Sequence, residues 1–126
     1  MTLFEQGTFS LHSGRRSRWR INAEVLTDAD LETLAMLMAD LVGPYGSVEG
    51  VPRGGLRLAA ILQQGVSDNV FHLIVDDVLT TGQSLKAARD AFLANGSNRP
   101  VIGAVLFARG PIPSWAFAVF AYRGEA

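Results

Sequence analysis

Cysteine is absent from this 126-residue chain, and lysine occurs once, as Lys86, against ten arginines. The first absence excludes disulfides and thiolate chemistry. The second leaves any lysine-dependent chemistry a single candidate. An excess of charge of one sign is also missing: 11 Lys and Arg face 12 Asp and Glu, for a net charge of −1. Such a balance supplies no global field toward nucleic acid or a membrane surface. No long hydrophobic run occurs. The apolar tail "WAFAVFAY" is too short to span a bilayer, and the start "MTLFEQGTFSLHSG" lacks the basic-then-apolar order of a secretory signal. The expectation is a soluble, cytoplasmic protein with no membrane partner.

What is present is hydrocarbon: 48% of residues are hydrophobic. That is enough for one domain, residues 1–126, around one core. "TFSLHSGRRSRWRINAEVL" carries β-formers and predicts one or two short strands around a Ser-Gly turn. "TDADLETLAMLMADLV" predicts a helix capped by Thr27 or Asp28, with Leu31, Leu34, Leu37, Met38 and Leu41 at helical spacing and an end near Gly43-Pro44. "SVEGV" reads as a strand, "PRGG" as a loop and "LRLAAILQQG" as a helix closed by Gly65. "VFHLIV" (70–75) reads as a buried strand, "SLKAARDAFLANG" as a helix stopped at Gly96, and "PVIGAVLFA" and "WAFAVFAY" as further strands. Helices alternating with apolar strands that lack polar alternation define an α/β fold. The expectation is a small doubly wound parallel sheet with helices on both faces, joined by right-handed crossovers.

The stretch "HLIVDDVLTTGQSL" (72–85) poses a physical problem. Adjacent carboxylates repel, and both resist leaving water. In open α/β sheets, ligands sit beyond the carboxyl ends of strands, where Asp76 and Asp77 are expected. Thr80, Thr81, Gly82, Gln83 and Ser84 follow and open a helix. A loop entering a helix N-terminus offers unpaired N–H groups and the positive end of the dipole, which suits a phosphate monoester. The carboxylates suit ribose hydroxyls and a nearby Mg²⁺ reached through water. A sugar phosphate satisfies both halves.

This stretch resembles the signature of the type I phosphoribosyltransferases, which bind 5-phosphoribosyl-1-pyrophosphate (PRPP). His72 departs slightly, standing where an apolar residue is usual. "GVPRGGLRLA" (50–59) resembles the family's pyrophosphate loop. Gly50, Gly54 and Gly55 permit backbone geometry closed to other residues, and Arg53 or Arg57 could supply charge. "GTFSLHSGRRSRWRIN" (7–22) resembles the N-terminal segment of orotate phosphoribosyltransferases through Phe9, Ser10, Leu11, Ser13, Gly14, Arg15, Arg16, Ser17 and Trp19. Arg109, after "VIGAVLFA", falls where orotate enzymes carry an arginine near the base's carboxylate, a task bidentate pairing suits.

The resemblance implies transfer of a phosphoribosyl group from PRPP to a nucleobase, with orotate giving orotidine monophosphate and pyrophosphate. It implies Asp76 and Asp77 on the ribose hydroxyls and on Mg²⁺ through water. Residues 80–84 would hold the 5-phosphate, and Arg53, Gly54 and Gly55 the pyrophosphate. Arg109 and the backbone of Phe9, Ser10, Leu11 and His12 would face the base. This is a shortened form. Only "QQGVSDN" (63–69) stands where orotate enzymes carry a mobile loop with catalytic lysines. His12 and Gly54 also occupy places where relatives carry lysine. Two readings follow: an enzyme, as a homodimer or with a partner subunit supplying the loop, or a catalytically weak sensor or regulatory subunit that binds PRPP or a nucleotide. "RRSRWR" as an RNA-binding patch is the weakest reading.

Overall fold

The computed structural model describes residues 2–10 and 16–122 of the chain. Strands β1 (Phe4–Ser10) and β2 (Arg16–Ile21) pair antiparallel as a separate hairpin, with an irregularity between Gln6 and Phe9. Both strands of the expected pair are therefore present. Ser17, Trp19 and Ile21 are half-buried while Arg16, Arg18 and Arg20 are exposed, so β2 buries alternate positions as a strand must.

Helix α1 spans Asp28–Val42. Thr27 Oγ1 accepts the Asp30 N–H, and Asp30 Oδ2 accepts the Thr27 N–H, each at 3.1 Å. This reciprocal cap fixes the helix start. Gly43, at φ 77°, closes it. Leu31, Ala35 and Met38 form the buried stripe. Leu37 and Leu41, expected inward from their spacing, are instead 42% and 44% exposed, because they lie to one side of the 31–35–38 line.

The main sheet holds β3 (Ser47–Gly50), β4 (His72–Leu79), β5 (Val101–Ala108) and β6 (Ala116–Ala121), all parallel, in that spatial order. Helix α2 (Gly55–Leu62) joins β3 to β4, and α3 (Gln83–Ala94) joins β4 to β5. Leu73 and Val75 of β4 and Ala104 and Leu106 of β5 pack with Leu31, Met38, Leu58 and Leu62 of α1 and α2. Ile74 and Val105 point the other way and pack with Leu85 of α3. Each fully buried leucine here contributes roughly 2 kcal/mol. Helices thus cover both faces, as expected.

The crossovers do not share one hand. The steps β3→β4 and β4→β5 move the same way across the sheet, but α2 and α3 lie on opposite faces. One of the two is therefore left-handed, against the expectation. The reason is local: after Leu62 the chain returns to β4 through residues 63–71, and no strand forms outside β3 among the described residues. β5 and β6 are also joined without a helix. Residues 109–115 run back along the α3 face, where Trp115 meets Arg89.

Candidate active site

The expected strand 70–75 starts later and runs further, from His72 through both acids to Leu79. Asp76 and Asp77 are thus inside β4 rather than beyond it. A break in the pleat accommodates them. Val75 faces the α1–α2 side, yet Val78 faces that side too and Leu79 faces α3. The alternation of β5 slips at the same level without a shift of register, and Leu106 and Phe107 both face the α1–α2 side. The Asp77 N–H donates to Asp76 Oδ1 at 2.8 Å, and the Val78 N–H donates to Asp77 Oδ1 at 2.7 Å. Each carboxylate spends one oxygen on the backbone, and Asp77 Oδ2 lies against Gly54.

The pair is half-buried. Burial, reinforced by the neighbouring Asp77 carboxylate, pushes the Asp76 carboxyl up to about 8. Without a bound partner, Asp76 therefore holds a proton at neutral pH.

The loop after β3 lies directly on the acids. A Cβ on Gly54 would strike the Asp77 carboxylate, and one on Gly55 would strike the Val75 carbonyl. A Cβ on Gly50 would strike the Gly55 carbonyl. None of the three has a positive φ. Their need for glycine is room for close backbone approach, not the unusual dihedrals expected from the sequence. The Gly55 N–H donates to the Val51 carbonyl, and the Val51 N–H to the Val75 carbonyl, each at 2.8 Å, which ties the loop to β4. The Pro52–Arg53 peptide is cis. Arg53 is exposed on this loop. Arg57, the alternative source of charge, turns away to Asp28 at 3.0 Å.

Gly82 has φ 82°, the left-handed geometry glycine tolerates, and turns the chain from β4 into α3. Thr81 Oγ1 accepts the Gln83 N–H at 3.3 Å. The Gly82 carbonyl accepts the first helical bond, from the Lys86 N–H at 2.9 Å. The first-turn N–H groups of Ser84 and Leu85 have no intrahelical acceptor. Thr81, Gln83 and Ser84 are exposed. The turn is braced from β5, since the Arg109 N–H donates to the Leu79 carbonyl at 2.8 Å and Gly110 abuts the Thr80 carbonyl. Gly110 was not foreseen; its signal was a second small residue just past a buried strand.

The acids, Arg53–Gly55 and Thr80–Ser84 thus converge at the carboxyl ends of β3 and β4. Arg109 is placed differently from expectation. Its guanidinium engages β2, with Nη1 donating to the Trp19 carbonyl and Nη2 to Ser17 Oγ, each at 3.0 Å. Phe9 and Ser10 end β1; Leu11 and His12, and Ser13, Gly14 and Arg15 of the same motif, lie outside the described residues. An apolar groove of about 780 Å³, walled by Phe4, Trp19, Leu34, Phe107 and Phe120, lies under the hairpin and contains neither acid. Lys86 pairs with Asp90 at 2.8 Å on the exposed side of α3. His72 is structural, as its buried strand position suggested. It bridges Ser47 Oγ at 2.6 Å and Glu49 Oε1 at 2.7 Å, stacked on Phe92.

No family model matches the chain, and no curated protein sequence does. Solved structures do. The architecture is that of the type I phosphoribosyltransferases, as the Helicobacter pylori xanthine-guanine-hypoxanthine phosphoribosyltransferase illustrates: TM-score 0.54, 20% identity, 74% of this chain and 78% of that one. Within that fold the chain is similar to orotate phosphoribosyltransferases. The Aeropyrum pernix enzyme superposes at TM-score 0.78 with 25% identity, over 94% of this chain and 88% of that one. The Mycobacterium tuberculosis enzyme, in complex with Fe(III) dicitrate, gives TM-score 0.68 and 18% identity over the same shares, 94% and 88%. Among the described residues no helix is long and apolar enough to cross a membrane.

Proposed function

We propose that this protein transfers a phosphoribosyl group from PRPP to a nucleobase, with orotate the favoured base. The observation that carries the reading is the seating of Gly54 against the Asp77 carboxylate. It brings a glycine loop suited to pyrophosphate against the acids suited to the ribose, beside a helix start suited to a phosphate. Asp76 and Asp77 accept the ribose hydroxyls. The N–H groups opening α3, with the Thr81 and Ser84 hydroxyls, grip the 5-phosphate, and Thr80, Gly82 and Gln83 shape that grip. Arg53, with the backbone of Gly54 and Gly55, faces the pyrophosphate. The backbone of Phe9 and Ser10, at the end of β1, approaches the base.

In the reaction the C1–oxygen bond breaks, pyrophosphate leaves with the electron pair, and a ring nitrogen of the base forms the new C1 bond and gives up its proton. The chain's contribution is to hold the ribose still and stabilise growing negative charge. Two half-buried carboxylates fit a Mg²⁺ that keeps most of its water and phosphate ligands; they are too few for an all-protein cage. Bound there with PRPP, Mg²⁺ would supply charge neutralisation for the departing pyrophosphate.

One observation favours a second reading. Residues 63–71 join α2 to β4 through a single 3-10 turn, and the chain's one lysine is paired with Asp90 on α3. A PRPP- or nucleotide-binding sensor or regulatory subunit needs no loop that shields the leaving group. A homodimer mate or a partner chain lending such a loop would restore turnover. The test is to mix the pure protein with PRPP, Mg²⁺ and orotate and follow orotate absorbance. Turnover that vanishes in Asp76→Asn/Asp77→Asn supports the enzyme. PRPP binding without turnover supports the sensor, and neither result overturns both.

A further inference from the structure

The loop between β4 and α3 rests on the end of β5. Gly110, the second residue past β5, lies so close to Thr80 that a Cβ there would overlap the Thr80 carbonyl oxygen. Gly110 has no positive φ, so its missing side chain serves room rather than dihedral freedom. The preceding N–H, from Arg109, donates to the Leu79 carbonyl at 2.8 Å. Two successive carbonyls of the β4 turn thus meet two successive residues of the β5 end. The Leu79 side chain, only 3% exposed, fills the space between the two segments. Its Cδ1 lies 3.9 Å from the place a Cβ on Gly82 would take, and its Cδ2 3.9 Å from the same place on Gly110. The backbone from Thr80 to Gly82 is therefore seated on β5 and on a buried leucine before it opens α3.

We infer that Gly110 is a positioning residue that sets where the Thr80–Ser84 loop stands, and so how tightly it grips the 5-phosphate. The inference rests on the proposed transferase reading for the identity of that anion, but not for the seating of the loop. Several N–H groups must converge on one phosphoryl group for the grip to hold. A side chain at position 110 must part the two segments by on the order of 1 Å to restore ordinary contact distances. That exceeds the roughly 0.5 Å within which a preorganised site has to be held. The loop Arg53–Gly55 is tied to β4 instead, through the Val51 N–H on the Val75 carbonyl and the Gly55 N–H on the Val51 carbonyl. It does not lean on Gly110 and should keep its hold on pyrophosphate. Loss of room at Gly110 should then weaken the phosphate monoester end of the substrate and spare the diphosphate end.

The experiment compares Gly110→Ala with Gly43→Ala, which strains the end of α1 at φ 77° while its Cβ meets nothing within 4 Å. Both variants should unfold at lower temperature than the unaltered protein, so stability alone does not separate them. Calorimetry with Mg²⁺ then follows PRPP, ribose 5-phosphate and pyrophosphate on each folded protein. In Gly110→Ala the Kd for PRPP and for ribose 5-phosphate should rise about tenfold, and that for pyrophosphate by less than about twofold. Gly43→Ala should change none of the three. Any result in which Gly110→Ala fails to weaken ribose 5-phosphate more than pyrophosphate, or in which Gly43→Ala weakens it equally, overturns the inference. If Gly110→Ala does not fold, inorganic phosphate is titrated into the unaltered protein and followed by backbone amide NMR. The Gly110 amide should then move together with those of Gly82, Gln83 and Ser84, and an unmoved Gly110 overturns the inference. If the unaltered protein binds neither PRPP nor ribose 5-phosphate, the transferase reading fails separately. The ligand-free amide spectrum of Gly110→Ala still decides the seating: shifts centred on Thr80–Ser84 support it, and an unchanged loop overturns it.

Discussion

Gly54 sits so close to the Asp77 carboxylate that no side chain fits between them. This one contact couples the loop after β3 to the acids of β4. Gly54→Ala must push the loop off β4. The expected cost is about 1–3 kcal/mol in urea unfolding, with PRPP affinity falling at least about tenfold. Unaltered stability together with unaltered affinity would show that the contact does not shape the site.

Asp76 links the site to pH. Its carboxyl stands at about 8 in the folded chain against an ordinary 3.8. Between those values the folded state holds a proton that the unfolded state has lost. Stability contributed by this group is full below about 4 and is lost as pH rises through about 8. Asp76→Asn keeps an acceptor for the Asp77 N–H and removes the titration. Its stability relative to the unaltered protein should grow from pH 4 to pH 8, reaching on the order of 1–3 kcal/mol. Thermal unfolding across that range checks it, and a pH-independent difference would contradict it.

His72 offers a contrasting site. It holds the amino ends of β3 and β4 together through Ser47 and Glu49, at the opposite end of the strands from the acids. His72→Leu strands both partners and should cost about 1–3 kcal/mol. PRPP binding, measured by calorimetry at a temperature where the variant is folded, should be unchanged. Loss of binding in folded His72→Leu would mean that the two ends of the sheet are coupled.

Much of this was legible in the residues. Helix α1 announced itself by Thr27, its leucine spacing and Gly43. The Asp-Asp and Thr-Thr-Gly sequence placed an anion site at a strand-to-helix turn, and the structure builds such a turn. What escaped has physical causes. Aspartates are poor strand residues, so β4 was expected to stop before them. A side-chain-to-backbone bond at each acid carries it through to Leu79. Gly50, Gly54 and Gly55 were recognisable as necessary, but the reason, close approach to β4, depends on neighbours distant in sequence. The pairing of Arg109 with Ser17 and Trp19 leaves no periodic trace. The hand of the α2 crossover depends on which strands are present, which local patterns do not encode.

Titration of PRPP with Mg²⁺ into the protein, followed by isothermal calorimetry, tests the central claim that the acids and the α3 start form one sugar-phosphate site. The account predicts saturable binding that tightens as pH rises from 7 toward 9, because Asp76 must release its proton to accept a ribose hydroxyl or hydrated Mg²⁺. It also predicts that binding disappears in Asp76→Asn/Asp77→Asn. Absence of heat from the folded protein, or equal binding in the double variant, would contradict it.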